Sequence, residues 1–152
     1  MTVTLELRAV KTDEEWAAMH DIRRRVLFAP GRHVPEVEYN SDHPDDRADE
    51  NVPHILMLDE RPIGVARLDL KGDNAVVRLV AILPEHQGNG FGDIMDKMLT
   101  EKSWELGVKQ MRVNAAPDAV GFYEKSGWHR ESWDPDELVG IARNCVQMVK
   151  SP

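Results

Sequence analysis

The sequence has almost none of the features that mark secreted or membrane proteins. Its 152 residues include one cysteine, Cys145, so no disulfide can form within the chain. No apolar run approaches the roughly 18 residues that a membrane-spanning helix needs, and the first residues lack the basic and apolar blocks of a secretion signal. These absences predict a cytoplasmic protein without membrane segments.

Positive charge is also scarce. The chain has 19 Lys and Arg against 27 Asp and Glu, a formal net charge of −8. The densest basic segment, Arg23-Arg24-Arg25, ends a predicted helix, where we expect a solvated segment that complements the helix dipole. Because nucleic acid would be repelled unless a basic face were segregated, we expect no nucleic-acid partner. The 41% hydrophobic and 30% charged composition is typical of one folded domain, here residues 1–152.

The hydrophobic patterns predict an α+β domain. Alternating apolar residues favour strands, and apolar residues that recur every three or four positions favour helices. The predicted strands cover residues 5–9, 54–58, 63–70, 75–83, 111–115, 128–133 and 141–149. The predicted helices cover residues 14–28, a segment with an apolar face from 91 to 104, and a short segment from 117 to 123.

A long loop separates the first helix from the block of three strands. Prolines and a glycine interrupt any regular pattern between residues 29 and 53. Seven acidic side chains and one arginine, Arg47, lie between residues 36 and 50. We expect this loop either to create a negative potential that favours a cationic substrate or to be a solvated surface whose charge only aids solubility.

The most informative segment is Gln87-Gly88-Asn89-Gly90-Phe91-Gly92, between a predicted buried strand and an amphipathic helix. Glycines at alternate positions allow backbone N–H groups to converge on an anion, and the following helix adds its unpaired amides. The segment therefore predicts a cradle for a diphosphate. The alternative is a tight turn whose glycines only let strand and helix pack closely.

Two common phosphate-binding motifs fit this turn poorly. A nucleoside-triphosphate loop needs Lys and then Ser or Thr after the last glycine, whereas Asp93 and Ile94 follow here. A dinucleotide-binding fold needs an acidic residue at the end of the next strand, where this chain has Asn114 and Ala115. The turn also follows the fourth predicted strand rather than the first.

The span from Val80 to Trp128 resembles the GNAT superfamily of N-acetyltransferases. The resemblance rests on the strand end Val80-Ala81-Ile82-Leu83-Pro84-Glu85, the Gln87-x-x-Gly90-x-Gly92 turn, and the block Gly121-Phe122-Tyr123-Glu124-Lys125-Ser126-Gly127-Trp128. It implies a single domain with a mixed, mostly antiparallel sheet of about seven strands, flanked by helices and splayed between the fourth and fifth strands. It also implies acetyl-CoA as acyl donor and an amine of a small molecule or peptide as acceptor, and it leaves a homodimer open.

The resemblance further implies roles for individual residues. Val80, Ala81 and Ile82 would pair through their backbones with the pantetheine arm of the cofactor. The segment that would hold its pyrophosphate comprises Gln87, Gly88, Asn89, Gly90, Phe91 and Gly92. Asn114 would hydrogen-bond the cofactor or an ordered water, or else satisfy a turn at the strand end. Tyr123 would protonate the departing thiolate, with a packing role as the alternative.

Three features qualify this resemblance. Where well-studied members carry a glutamate general base, this chain has Val76, so a non-catalytic acyl-CoA-binding module is the alternative function. Asp69, Glu36 and Glu38 are candidate bases, although we expect each to be a surface residue. Asp93 places a negative charge beside the phosphate turn, where it either points away as a helix-start carboxylate or weakens cofactor binding.

No metal site is expected. A catalytic zinc site needs three converging protein ligands, and the six histidines include no i, i+4 pair. The nearest approach to a metal-binding segment is His43, which lies near Asp42, Asp45 and Asp46. We expect Cys145 to be a core residue of the last strand, since nothing near it in sequence would lower its pKa.

Overall fold

The computed structural model describes residues 3–33 and 37–152. Its strands are β1 Leu5–Ala9, β2 Asn51–Leu58, β3 Arg61–Lys71, β4 Asn74–Ile82, β5 Gln110–Ala115, β6 His129–Arg130 and β7 Val146–Lys150. Its helices are α1 Asp13–Val26, α2 Phe91–Glu105 and α3 Val120–Lys125. The strands form one seven-stranded sheet in the order β1-β2-β3-β4-β5-β7-β6.

The sheet is mixed and mostly antiparallel, as predicted. Among the described strands only β4 and β5 run parallel, because α2 crosses over between them. Helices cover both faces. Met19 and Ile22 of α1 are buried against one face, and Met95 and Leu99 of α2 are buried against the other. Each of these side chains contributes about 1.5–3 kcal/mol on removal from water.

The helix α1 begins after the cap that the sequence predicts at Thr12. Thr12 accepts a hydrogen bond from the Glu15 N–H at 3.1 Å, and the Glu15 carboxylate accepts one from the Thr12 N–H at 3.0 Å. This reciprocal capping satisfies two backbone donors that a helix start leaves without partners. The helix ends at Val26, two residues earlier than predicted.

The prediction for β2 was wrong at its start. The strand begins at Asn51 and includes Pro53, which the sequence assigns to the loop. Pro53 is tolerated because it lies beyond the last pair of β1, which joins Ala9 to His54. Its carbonyl accepts from the Val10 N–H at 2.9 Å, and the absent N–H faces the same side, where no ladder continues.

The two closing strands are shorter than predicted. The first ends at Arg130, short of the predicted end at Trp133, and a short 3₁₀ helix at Gly140–Ala142 occupies the predicted start of the second. Another 3₁₀ helix, Pro135–Glu137, lies in the loop between them. Gly140 holds a φ of +59°, which an extended strand does not allow. Cys145 consequently lies before β7 and is half-buried, not a core residue of that strand. Burial raises the pKa of its thiol.

The expectation that Arg23 is a solvated helix end was also wrong, because Arg23 is 1% exposed. Its Nη1 donates to Asp46 Oδ2 at 2.9 Å, and Arg67 Nη1 donates to Asp46 Oδ1 at 3.0 Å. Burial alone would raise the pKa of Asp46, but the two arginines outweigh burial and the net direction is down. Asp46 therefore anchors the acidic loop to α1 and to β3.

Replacing Asp46 with Asn tests this anchor. The substitution leaves the buried Arg23 guanidinium without its carboxylate and leaves Arg67 with Asp69 alone, so we expect the free energy of unfolding to fall by about 3 kcal/mol. Urea denaturation followed by circular dichroism measures the change. The matched control is Asp45→Asn, whose side chain is 59% exposed. Equal, small effects in both variants would contradict the anchor.

Candidate active site

The site begins where β4 and β5 part. The two strands pair from residues 74–77 to residues 110–113, and the last pair joins Val77 to Val113. Beyond that pair, β4 continues beside β3 alone as far as Ile82. The predicted splay between the fourth and fifth strands is therefore confirmed, and it leaves one edge of β4 without a neighbouring strand.

A β-bulge accompanies the splay. One residue separates Val65 from Arg67 on β3, whereas two separate their partners Ala81 and Arg78 on β4. The extra residue places Leu79 at a φ of +54°, a conformation that costs a non-glycine residue about 1 kcal/mol or more. A bulge bends its strand and redirects the side chains that follow it. Here it turns Val80 toward the cleft that holds Tyr123.

The glycine turn lies directly after this free edge of β4. Gly88 and Gly90 have φ values of +79° and +82°, and Gly90 is the N-cap of α2. Gln87 fastens the turn to the end of β4, since its Nε2 donates to the Ile82 carbonyl at 2.8 Å. Asn89 Nδ2 donates to the Gln87 carbonyl at 3.3 Å. The first amides of α2 thus open beside the splay, a geometry that suits an anion.

Two neighbouring positions define the rim of the turn. Gly92 has an ordinary helical conformation, and an added Cβ would lie 3.5 Å from the Phe122 ring, in normal contact. Asp93 is paired: its Oδ2 lies 3.0 Å from Lys97 Nζ, and its Oδ1 accepts from Ser126 Oγ at 3.1 Å. These hydrogen bonds, that of Lys97 first, lower the pKa of Asp93.

Tyr123, the predicted acid, is a buried residue of α3. It is 7% exposed, and its ring packs edge-on between Phe122 and Trp128, with centroid distances of 5.2 and 5.5 Å. It lines a narrow cleft together with Val77 and Val80 of β4 and with Gly92 of α2. Burial raises the pKa of Tyr123, and the nearby Asp96 adds to the shift.

Asn114 has partners within the chain. Its Nδ2 donates to Glu137 Oε1 at 3.0 Å, and its Oδ1 accepts from Gln147 Nε2 at 3.0 Å. Because side chains alternate along a strand, Asn114 projects from the face opposite to Val113 and Ala115, which pack in the core with Tyr123. A contact between Asn114 and the cofactor stays a prediction.

The candidate general bases differ in their burial and in their hydrogen bonds. Val76, which the resemblance matches to the usual glutamate, is buried, and Glu38 is exposed. Glu36 lies outside the described residues. The expectation that Asp69 is a surface residue was wrong, because Asp69 is only 3% exposed. Its carboxylate accepts from Arg67 Nε at 2.7 Å and from Arg78 Nε at 2.8 Å, so its charge is already neutralised.

Sequence reasoning missed a second, larger cleft on the opposite face of the sheet. Its volume is about 480 Å³, and charged side chains from the acidic loop, β3, β4 and the β6–β7 loop surround it. Its lining includes Asp45, Glu50, Asp69, Lys71, Arg78 and Glu137. The available signals were Arg67 and Asp69 at alternate positions of a buried strand and Arg78 within an otherwise apolar one.

The splayed strands and the glycine turn before α2 agree with the family that the chain matches in sequence. Residues 36–150 match the acetyltransferase (GNAT) domain, so the chain belongs to the GNAT acetyltransferase family. Membership makes the protein an acetyl-CoA-dependent acyltransferase.

Two relatives come from Bacillus subtilis (strain 168). The chain is 28% identical over 129 residues to the uncharacterized protein YyaT, a match that covers 84% of this chain and 85% of YyaT. It is 28% identical over 106 residues to the uncharacterized N-acetyltransferase YjcF, covering 69% of this chain and 72% of YjcF.

A solved structure with the same fold is the PaiA N-acetyltransferase of Thermoplasma acidophilum in complex with coenzyme A. Its TM-score to this chain is 0.74 at 16% identity, and the match covers 98% of this chain and 99% of that chain. Within residues 3–33 and 37–152, no helix is long and apolar enough to cross a membrane. The same residues contain no group of three or more His, Cys, Asp or Glu placed to hold a metal ion.

Gly90→Val tests the phosphate cradle. A valine at Gly90 would strain a left-handed turn and crowd the opening to the α2 amides, so we expect acetyl-CoA affinity to fall more than about tenfold. Calorimetry on the folded variant measures the affinity. The control is Gly107→Val, whose φ of +83° gives a similar strain at the other end of α2. Unchanged affinity in Gly90→Val would exclude the cradle.

Proposed function

We propose that this protein transfers the acetyl group of acetyl-CoA to a primary amine of a small molecule or peptide, directly and within a ternary complex. The observation that carries the proposal is the meeting of three features at one cleft: the free edge of β4, the glycine turn before α2, and Tyr123. Membership of the acetyltransferase family supports the donor, and the local chemistry supports the remaining steps.

The free edge of β4 suits the arm of the donor. Backbone N–H and C=O groups of Val80, Ala81 and Ile82 lie past the last β4–β5 pair, so those facing the splay are available to the amides of pantetheine. Ala81 is buried against α1 and Val80 faces the cleft, so the backbone is fixed between two packed layers. The amides from Gly88 to Gly92 would then hold the pyrophosphate.

Tyr123 would act at the sulfur. Acetyl-CoA supplies a thioester: when the amine attacks its carbonyl carbon, the C–N bond forms and the C–S bond breaks, leaving charge on sulfur. Because burial raises the pKa of Tyr123, its phenol keeps its proton throughout the working pH range. Its O–H can therefore donate a hydrogen bond to the developing thiolate. Because the same shift makes the phenol a weaker acid, its proton would pass to sulfur only after charge has built up there.

Direct transfer is favoured over a covalent acetyl-enzyme. An intermediate needs an activated nucleophile, and the natural candidate is the single cysteine, Cys145. Its thiol is half-buried with a raised pKa, so little thiolate is present at neutral pH. The residues that line the Tyr123 cleft include no Ser, Cys or His. These observations favour attack on the thioester by the amine itself.

The acidic loop supports a cationic acceptor. Asp46 is neutralised internally, but the other described carboxylates of the loop are exposed. They are Glu38, Asp42, Asp45, Asp49 and Glu50. Two of them, Asp45 and Glu50, line the larger cleft. A negative rim at the entrance raises the local concentration of ammonium groups.

Tyr123→Phe tests the catalytic role. Losing one positioned donor should slow acetyl transfer on the order of 10²-fold while the dissociation constant of acetyl-CoA stays unchanged. The release of free coenzyme A thiol, measured with the best amine of an acceptor screen, gives the rate. Tyr39→Phe is the control, because it removes the chain's other phenol.

Full turnover in Tyr123→Phe would return Tyr123 to a packing role. If the wild-type protein binds acetyl-CoA but releases no thiol with any amine, the protein is a binding module. That function is favoured by one specific observation, the valine at position 76.

A further inference from the structure

Glu137 joins β4 and β5 at the point where their ladder stops. The first residues past the last pair are Arg78 and Asn114. Glu137 Oε1 accepts from Arg78 Nη1 at 2.8 Å and from Asn114 Nδ2 at 3.0 Å, and Glu137 Oε2 accepts from Arg78 Nη2 at 3.0 Å. One carboxylate thus closes the apex of the splay on the face opposite to Tyr123.

The β6–β7 loop holds this carboxylate in place. Glu137 ends a 3₁₀ helix whose N-cap is Asp134. Gln147 of β7 accepts from the Trp133 and Asp134 N–H groups at 2.9 Å each and donates to the Asp134 carbonyl at 2.6 Å. Arg78 is fixed in turn by Asp69. Both ends of the Glu137 contact are therefore attached to the sheet.

Glu137 also faces an open space. It lines the 480 Å³ cleft, and its side chain is 17% exposed. A carboxylate has about four lone-pair positions, and the hydrogen bonds from Arg78 and Asn114 use three of them. Lys71 Nζ lies 4.0 Å from Oε2, beyond hydrogen-bond distance. Within the described chain, an acceptor position of Oε2 stays available to a cation in the cleft.

We propose that Glu137 binds the ammonium group of the acceptor and orients its nitrogen at the apex of the splay, with the large cleft as its entrance. This role rests on the proposed function, and it gives the cleft a ligand class, alkylammonium compounds. The donor would approach from the Tyr123 side and the acceptor from the Glu137 side. The two substrates would then meet between the separated strands.

The chemistry assigns binding, not proton abstraction, to Glu137. The hydrogen bond from Arg78 lowers the pKa of Glu137 despite partial burial, so its carboxylate stays charged. A charged carboxylate of low basicity holds a cation well and accepts its proton poorly. One ammonium proton passes to water in the open cleft before attack. The second N–H proton, lost as the amide forms, balances the proton that Tyr123 gives to the thiolate.

Asp69 is a less suitable partner for the amine because it is less accessible. Each carboxylate accepts three hydrogen bonds, but the Asp69 side chain is 5% exposed and the Glu137 side chain is 17% exposed. Asp69 accepts a hydrogen bond from Arg78 Nε and so orients the guanidinium group that binds Glu137. Among the carboxylates of the cleft, Glu137 alone contacts both separated strands.

The test compares Glu137→Gln with Asp136→Asn, which removes the neighbouring charge from an exposed side chain. The acceptor is n-butylamine, an alkylammonium with no other charge, and thiol release gives kcat and KM. Acetyl-CoA affinity is measured separately by calorimetry. We expect Glu137→Gln to lower kcat/KM for n-butylamine by about tenfold or more, mainly through KM, with acetyl-CoA affinity unchanged. Asp136→Asn should stay within about twofold of the wild type.

Three outcomes would overturn the proposal. In the first, kcat/KM of Glu137→Gln stays within about twofold of the wild type. In the second, acetyl-CoA affinity falls as much as kcat/KM, which makes Glu137 only a brace between β4 and β5. In the third, the wild type acetylates other amines of the acceptor screen but not n-butylamine. A wild type that fails to bind acetyl-CoA, or that releases no thiol with any amine, contradicts the proposed function itself, so the two failures are distinguishable.

Discussion

The separation of β4 from β5 is the constraint on which the rest of the site depends. Parallel pairing stops at Val77 and Val113, and the bulge at Leu79 bends β4 away from its former partner. A sheet interior normally satisfies every backbone group with a neighbouring strand. Opening it leaves a free edge in the middle of the domain. The glycine turn follows that edge closely in sequence. The anion site at the start of α2 therefore lies next to the unpaired backbone of β4.

Each face of the splay carries different chemistry. On the α2–α3 face, an apolar cleft surrounds Tyr123, and burial keeps its phenol protonated. On the α1 face, a series of ion pairs runs from Arg23 through Asp46, Arg67, Asp69 and Arg78 to Glu137. The series fastens the acidic loop at one end and the β6–β7 loop at the other. Both loops therefore border the charged cleft in fixed positions.

Local signals in the sequence predicted the parts of the fold and site that depend on local structure. The Thr12–Glu15 cap, the glycine turn and the order of the elements are each encoded within a few residues. The meeting of Tyr123 with the strand before the turn followed from the family resemblance. The splay also came from that resemblance, because no pattern in one strand reports where its neighbour stops pairing.

The errors concern residues whose environment is set by distant partners. Arg23 looked like a surface charge because its partner, Asp46, lies 23 positions away in sequence. Asp69 has one near partner, Arg67, but the second, Arg78, lies nine positions away on the neighbouring strand. Glu137 carried no signal at all, since its role depends on two strands that are 59 and 23 positions away. Burial of a charged side chain costs free energy unless an opposite charge pairs with it. Pairing between residues this far apart in sequence depends on the whole fold.

In the proposed complex, acetyl-CoA occupies the splay between β4 and β5. Backbone amide chemical shifts, followed during a titration with coenzyme A, map where the cofactor binds. We expect the largest changes on residues 78–82 and 88–93, smaller changes around Tyr123, and little change on β1 and β2. Changes concentrated on β1 and β2, with residues 78–82 unaffected, would contradict this placement of the cofactor.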